Sequence, residues 1–217
     1  MKRIKQRASP LGGFSSGASL GGKVSRYRRK QSIYTQGAPA YTLFYIQDGG
    51  VLLTTRMKHQ PAVTAILGVG DFCGEICLAG YSLRMSTAVA LTASSIRTIQ
   101  KKKMIQILRT KNKASNALVA YLLSSAQKYK DHVAELMTSS AEQRLARVLL
   151  RLARLDKKRP ATVEIPALSH QVLAEMVGST RQRVNLFMNR FRKRGFISYN
   201  NGRIEVYKSL KKVLRRR

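Results

Sequence analysis

Tryptophan is absent from this chain, and cysteine nearly so: Cys73 and Cys77 are the only two thiols in 217 residues. Two cysteines cannot build a disulfide framework or a four-cysteine metal cluster, and the simplest reading is a pair of small buried side chains in a reducing compartment. The three histidines, His59, His132 and His170, show no metal-ligand spacing, and none stands beside a nucleophile or paired carboxylates in sequence. The expectation is therefore no metal and no enzyme. Acidic residues are equally scarce, 10 Asp+Glu against 41 Lys+Arg, which leaves a net charge of +31 spread over both halves of the chain. Such an excess predicts strong, salt-sensitive affinity for a polyanion, although charge alone does not separate DNA from RNA or an anionic membrane. No apolar run approaches the roughly 20 residues of a membrane span, and the stretch MKRIKQRASPLGGFSSGASLGG lacks the hydrophobic core of an export signal. A cytoplasmic protein without a membrane partner is expected.

What the chain does contain is organised around Leu168 to Arg194, LSHQVLAEMVGSTRQRVNLFMNRFRKR. Leu173, Ala174 and Val177 make the inner face of one helix, with Ser169 placed to cap it. Val184, Phe187, Met188 and Phe191 follow the i, i+3, i+4, i+7 rhythm of a second. Gly178 between them allows the left-handed backbone that ends a helix, and Ser179 or Thr180 can cap the next. This pattern predicts a helix-turn-helix. With Val184 inward, Gln182, Leu186, Asn189 and Lys193 project the opposite way, and Arg181, Arg183, Asn185 and Arg190 lie on the flanks, where long donors can read base edges and arginines can hold phosphates. The bland alternative is a solvated basic helix. Phe196–Tyr199, Asn200-Asn201-Gly202 and Arg203–Tyr207 then read as a tight hairpin, a wing that Val163–Ile165 could extend.

From Tyr27 to Ile99 short apolar runs alternate with glycine turns: Leu43–Ile46, Val51–Thr55, Val63–Leu67, Thr87–Leu91 and Ser95–Ile99. Closely spaced strands without long intervening helices predict a small antiparallel barrel or jelly roll, a fold that often encloses a ligand. Within it, Gly70 to Leu78 (GDFCGEICL) is followed by Arg84-Met85-Ser86. A glycine-led turn exposes backbone amides to an anion, a glutamate can accept from ribose hydroxyls, and an arginine can pair with phosphate. Gly74, Glu75, Arg84, Met85 and Ser86 are thus candidates for a sugar-phosphate cradle. The competing reading is an internal Glu75–Arg84 ion pair that only fixes the turn. The glycine spacing excludes a dinucleotide fingerprint.

Residues 27–207 resemble the cyclic-AMP receptor/fumarate-nitrate regulator (Crp/Fnr) family of bacterial transcription factors. The resemblance rests on Phe72-x-Gly74-Glu75-x-x-Leu78 with Arg84 ten residues after Gly74, and on Val177-Gly178-Ser179-Thr180-Arg181. It implies a cyclic nucleotide as possible effector, with Glu75 on the ribose 2′-hydroxyl and Arg84 on the cyclic phosphate. It also implies Thr180 on a DNA phosphate, Arg181 on a guanine, and RNA polymerase as a further partner. The chain departs from the family pattern in several places. Met85 stands where cyclic-AMP-binding members carry a small residue or serine, and Tyr129 and Lys130 align with the receptor's adenine-contacting Thr-Ser pair. Gln182 replaces a glutamate and Leu186 an arginine. Leucine suits a thymine methyl and glutamine an adenine, so the receptor's operator does not carry over.

Between the two regions, Leu118, Leu122, Ser125, Tyr129, His132 and Leu136 are spaced 4, 3, 4, 3, 4, a coiled-coil rhythm that predicts a dimer seam. The alternative is that this stripe packs on its own barrel, a role that Val119, Ala126, Val133 and Met137 on the adjoining face could also serve. Ser139 or Ser140 with Glu142 and Gln143 predicts a capping box at a hinge. The expected organisation is α+β: a basic, disordered tail (1–24), a cyclic-nucleotide-binding-type jelly roll (25–110), a dimerisation helix (111–138) and a winged helix-turn-helix (139–217). The expected function is a homodimeric, sequence-specific DNA-binding transcriptional regulator modulated by a small effector. DNA contacts are expected from Ser169, Thr180, Arg181, Gln182, Asn185, Leu186 and Asn189, and dimer contacts from Leu118, Leu122, Tyr129, His132 and Leu136. The alternative is a constitutive or architectural DNA-binding protein with a vestigial cassette.

Overall fold

The computed structural model describes residues 20–57, 60–155, 162–165, 168–200 and 203–215. Among the described residues, eight strands precede the first α-helix: β1 (Lys23–Tyr27), β2 (Ser32–Tyr34), β3 (Thr42–Asp48), β4 (Val51–Met57), β5 (Gln60–Leu67), β6 (Phe72–Cys73), β7 (Thr87–Ala90) and β8 (Ser94–Gln100). They form two four-stranded antiparallel sheets, ordered β1-β8-β3-β6 and β2-β7-β4-β5. Phe44 and Ile46 of β3 meet Val51, Leu67, Ala88 and Ile96 between the sheets. The alternate residues Leu43 and Tyr45 turn outward into a second cluster under the helices. That strand is covered on both faces, which is why it reads as a continuous apolar run rather than an alternating one. The β3–β4 turn needs Gly49, whose φ is +84°: a Cβ there would collide with Ser94 Oγ and the Ala93 carbonyl.

The sequence reading needs correcting at the N-terminal end. The expected tail runs to residue 24, yet Leu20 is fully buried in the cluster beneath the helices, and Lys23 already pairs with Thr98 in β1. Residues 1–19 lie outside the described part. β1, β2 and β6 escape periodicity because they are short or basic. So does α1 (Lys101–Thr110), where three consecutive lysines mask Met104 and Ile107, both buried.

Two further helices carry the chain away from the sandwich: α2 (Asn112–Thr138, 27 residues) and α3 (Ala141–Leu155). They meet at the expected capping box, where Gln143 N–H donates to Ser140 Oγ (3.2 Å) and Ser140 N–H donates to Gln143 Oε1 (3.0 Å). Beyond come β9 (Thr162–Ile165), α4 (His170–Val177), α5 (Arg181–Lys193), β10 (Ile197–Asn200) and β11 (Arg203–Tyr207). The last sheet is ordered β10-β11-β9 with Ile197 opposite Val206 and Ile204 opposite Ile165, so the wing and its third strand form as expected. Its turn, Asn201-Gly202, lies outside the described residues. A 3-10 segment, Lys208–Arg215, closes the unit by burying Leu210 and Val213. The core of this unit continues onto the sandwich: Leu91 is buried in it, and Leu52, Val63 and Ile66 of the β4–β5 hairpin pack against it.

Candidate nucleic-acid interface and effector cassette

The turn between α4 and α5 is built by backbone chemistry. Ser169 caps α4 by accepting from Val172 N–H (3.2 Å). Gly178 ends it at φ +60°, ψ +54°, with Gly178 N–H and Ser179 N–H both donating to the Ala174 carbonyl. A residue bearing a Cβ would be strained in that conformation. Thr180 then caps α5 through its hydroxyl, which accepts from Arg183 N–H at 3.3 Å.

On α5, Val184, Phe187, Met188 and Phe191 are buried. Arg181, Gln182, Arg183, Asn185 and Lys193 are exposed, Asn189 is half-buried, and Leu186 is 55% exposed. The helix therefore shows solvent a face of long donors with a leucine in its middle. One flanking arginine is committed elsewhere: Arg190 Nη1 lies 3.0 Å from Glu142 Oε2 of α3 in a half-buried ion pair. It braces α5 and is not free to hold a phosphate. The hydroxyls of Ser169 and Thr180 serve as caps, and each keeps its O–H proton to donate outward.

In the sandwich, β6 leads through Gly74 (φ +76°) into a 3-10 turn, Glu75–Ala79. The glycine is required by Arg84, because a Cβ at Gly74 would run into Arg84 Nη1. Arg84 is only 4% exposed. Its Nη1 donates to the Thr42 carbonyl (2.6 Å) and Gly74 carbonyl (3.4 Å), and its Nη2 donates to Thr42 Oγ1 (2.8 Å). The guanidinium carbon sits 4.5 Å from the Tyr34 ring centre and 5.2 Å from that of Phe44. No ion pair joins it to Glu75, so the internal-pair reading is not what fixes this turn. Arg84 Nε is buried without a hydrogen-bond partner. A buried cation with an open donor and no carboxylate paired to it can accept an anion.

Around it, burial raises the Glu75 carboxyl above its usual range, opposed by its own backbone amide, and the Tyr34 hydroxyl is raised by burial and then by Cys73. Ser86 is half-buried, whereas Met85 is 53% exposed and faces away from the sandwich interior. Cys73 and Cys77 are buried free thiols, their pKa values raised chiefly by burial.

The long helix touches the cassette through a residue that sequence reasoning passed over. Tyr121 hydroxyl accepts from Phe72 N–H (2.9 Å) and donates to the Phe72 carbonyl (3.2 Å), so α2 grips the strand that enters the cassette. The signal was its place on the stripe Ala114, Ala117, Leu118, Tyr121, which is the buried face of the helix. This overturns the role expected of Leu118: it is 6% exposed and packs into its own sandwich, while Val119 beside it is 55% exposed. Leu122, Tyr129 and Leu136 are exposed. His132 is half-buried with Nδ1 unpartnered; burial and then Arg151 hold its pKa below the usual imidazole value. The outward stripe is Val119, Leu122, Ala126, Tyr129, Val133 and Leu136, with Met137 beside it.

Comparison with known proteins matches both regions. Residues 24–111 fit the family model of the cyclic nucleotide-binding domain, and residues 143–211 that of the Crp-like helix-turn-helix domain. The cAMP-activated global transcriptional regulator CRP of Escherichia coli O157:H7 is 27% identical over 191 residues, which cover 85% of this chain and 89% of that protein. Among solved structures, FixK2 from Bradyrhizobium japonicum superposes with a TM-score of 0.75 at 19% identity, covering 89% of this chain and 96% of that one. A Crp/Fnr-family transcriptional regulator from Thermus thermophilus gives 0.74 at 22% identity, covering 90% and 100%. No helix among the described residues is long and apolar enough to cross a membrane. A sandwich with a buried arginine, a long helix and a winged helix-turn-helix, matched in both parts by these models, makes this chain a member of the Crp/Fnr family of DNA-binding transcriptional regulators, with an effector-binding domain and not an enzyme.

Proposed function

We propose that this regulator acts in the cytoplasm as a homodimer on a two-fold-related DNA site, reading bases with the exposed face of α5. The observation that carries the reading is the segregation on that helix: its apolar side is wholly buried, and Arg181, Gln182, Asn185 and Leu186 stand clear at its N-terminal half, where a recognition helix meets base edges. Arg181 pairs with a guanine, Gln182 suits an adenine and Leu186 a thymine methyl, while Thr180 and Ser169 donate to phosphates. Arg181→Ala, assayed against a panel of single-base variants of a selected site, should lose discrimination at one base pair per half-site by about 1–3 kcal/mol. Uniform weakening across all sequences would place Arg181 on a phosphate instead.

The sandwich is proposed to take an anionic effector through Arg84, with a cyclic nucleotide as the first candidate, since the E. coli relative is named as cAMP-activated. Arg84 would meet the phosphate with its open Nε and its remaining Nη2 proton, and Glu75 the sugar hydroxyl. Exposed Met85 offers no donor, which sets the site apart from one with serine there. Calorimetric titration with cyclic AMP and cyclic GMP tests this. Saturable heat that weakens at least tenfold in Arg84→Met, as expected for losing a charge-assisted hydrogen bond of about 1.5–3 kcal/mol, supports it. Absence of binding with both nucleotides rules both out and leaves either another anionic effector or the constitutive reading, in which Thr42, Tyr34 and Phe44 hold Arg84 for structural ends. RNA polymerase is the expected protein partner of the DNA-bound dimer.

A further inference from the structure

We propose that Arg144 is the positioning residue that sets the recognition helix relative to the dimerisation helix, and thereby the half-site spacing this regulator accepts. The inference rests on the dimer reading above and adds to it the group that fixes its geometry.

Arg144 lies on the first turns of α3, and its guanidinium reaches the C-terminal ends of two other helices at once. Nη1 donates to the carbonyls of Ser139 (2.6 Å) and Leu136 (3.3 Å) at the end of α2. Nε donates to the Val177 carbonyl (2.8 Å) and Nη2 to that of Gly178 (3.3 Å) at the end of α4. The last carbonyls of a helix have no partner within it and carry the negative end of its dipole, so one delocalised cation between two such ends is favourable to both. The planar fork is what lets one side chain point donors in both directions; an ammonium on a single nitrogen cannot span them.

The consequence follows from where the second end leads. Gly178 is two residues from Thr180, the cap of α5, and three from Arg181. The path from Arg144 to the base-reading residues is short and rigid, held by the two amides on Ala174 and by the Thr180 cap. On the other side the contact is equally firm: Arg151 Nη2 pairs with Glu135 at 3.0 Å, Arg147 Nε lies 3.7 Å from the same carboxylate, and Arg147 Nη1 donates to Ser139 Oγ at 2.7 Å. The end of α2 is thus tied to α3, and through Arg144 alone among these three arginines to α4. Leu136 Cδ2 lies 3.8 Å from where a Cβ on Gly178 would stand, so the end of α2 approaches the turn itself. Arg144 is half-buried and acts through hydrogen bonds at the junction, and its loss should free the orientation of the module while the apolar cluster of the winged domain stays assembled.

The experiment uses the full chain, a symmetric site obtained by selection from random DNA, and the same site with one base pair inserted between half-sites. Insertion separates the half-sites by about 3.4 Å and rotates them by about a tenth of a turn. Wild-type protein should bind the inserted site far more weakly. If Arg144→Met leaves each module in the competent orientation about a tenth of the time, affinity for the selected site falls about tenfold per module and about a hundredfold for the dimer. Affinity for nonspecific DNA and sedimentation as a dimer should stay as in wild type, the melting temperature should fall with the lost helix-end hydrogen bonds while the protein stays folded at the assay temperature, and the insertion penalty should shrink. Arg144→Lys keeps the charge and should still show the reduced penalty. Undiminished affinity and insertion penalty in Arg144→Met, an equal loss on nonspecific DNA, or wild-type spacing discrimination in Arg144→Lys would each overturn the assignment. A wild-type protein that sediments as a monomer, or binds both spacings alike, would overturn the dimer reading itself and this inference with it.

Discussion

Leu122→Glu combined with Val133→Glu should convert the protein to monomers in sedimentation and abolish tight binding to a two-fold site. Both side chains lie on the outward stripe of α2, in which Val119, Leu122, Ala126, Tyr129, Val133 and Leu136 recur at alternating three- and four-residue intervals and leave the large apolar members exposed on a single chain. A helix of 27 residues, about 40 Å long, with such an exposed seam supports the dimer proposed above. Placing four carboxylates across the seam of a dimer desolvates like charges at the positions that pack most closely. Once the subunits part, the second half-site is no longer bound intramolecularly, and affinity for the complete site should drop by roughly 10²–10⁴. The sandwich should melt unchanged, since neither residue belongs to its core. Leu118→Glu makes the contrast: that side chain is buried against the sandwich, so the change should lower its stability before it alters association.

Phe191→Ala should cost the winged domain about 3–5 kcal/mol, the range for removing a buried aromatic ring and leaving its cavity. Phe191 is fully buried, its ring centre 6.4 Å from that of Phe196, and its carbonyl accepts from Phe196 N–H at 2.9 Å, so it joins α5 to the start of the wing. A loss of that size consumes much of the stability of a small domain. In chemical denaturation followed by far-UV signal, an early transition should separate from that of the sandwich, and DNA binding should be lost with it. Leu186→Ala, on the opposite face of the same helix, should leave stability within about 0.5 kcal/mol and change only base preference. Equal destabilisation by the two would mean that the burial pattern of α5 is wrong.

The helix-turn-helix was legible almost to the residue because everything that makes it is local. Apolar spacing sets the inner faces of α4 and α5, one glycine supplies the left-handed turn, and two hydroxyls cap the helices within three residues of themselves. The strands β3, β4, β5, β7 and β8 were legible as apolar runs between turns, whereas α1 was hidden by its lysines and β6 by its two-residue length. The long helix is where reading stopped short. It is apolar on two faces, and periodicity locates both faces without saying which one its own sandwich takes.

Local patterns of residues specify the kinds of part: a sandwich of short strands, a long two-faced helix, a winged helix-turn-helix with a donor-rich outer face, and a surface charge suited to DNA. How they are joined is set by the packing of distant elements. It turned Leu118 inward and Val119 outward, lodged Arg84 against Thr42 instead of Glu75, set Tyr121 on the backbone of Phe72, and brought Arg144 to Val177. Each of those partners is 33 to 49 residues distant in the chain where a hydrogen bond joins them. Such contacts are chosen by which surfaces the packed elements bring together, and no local spacing encodes that choice.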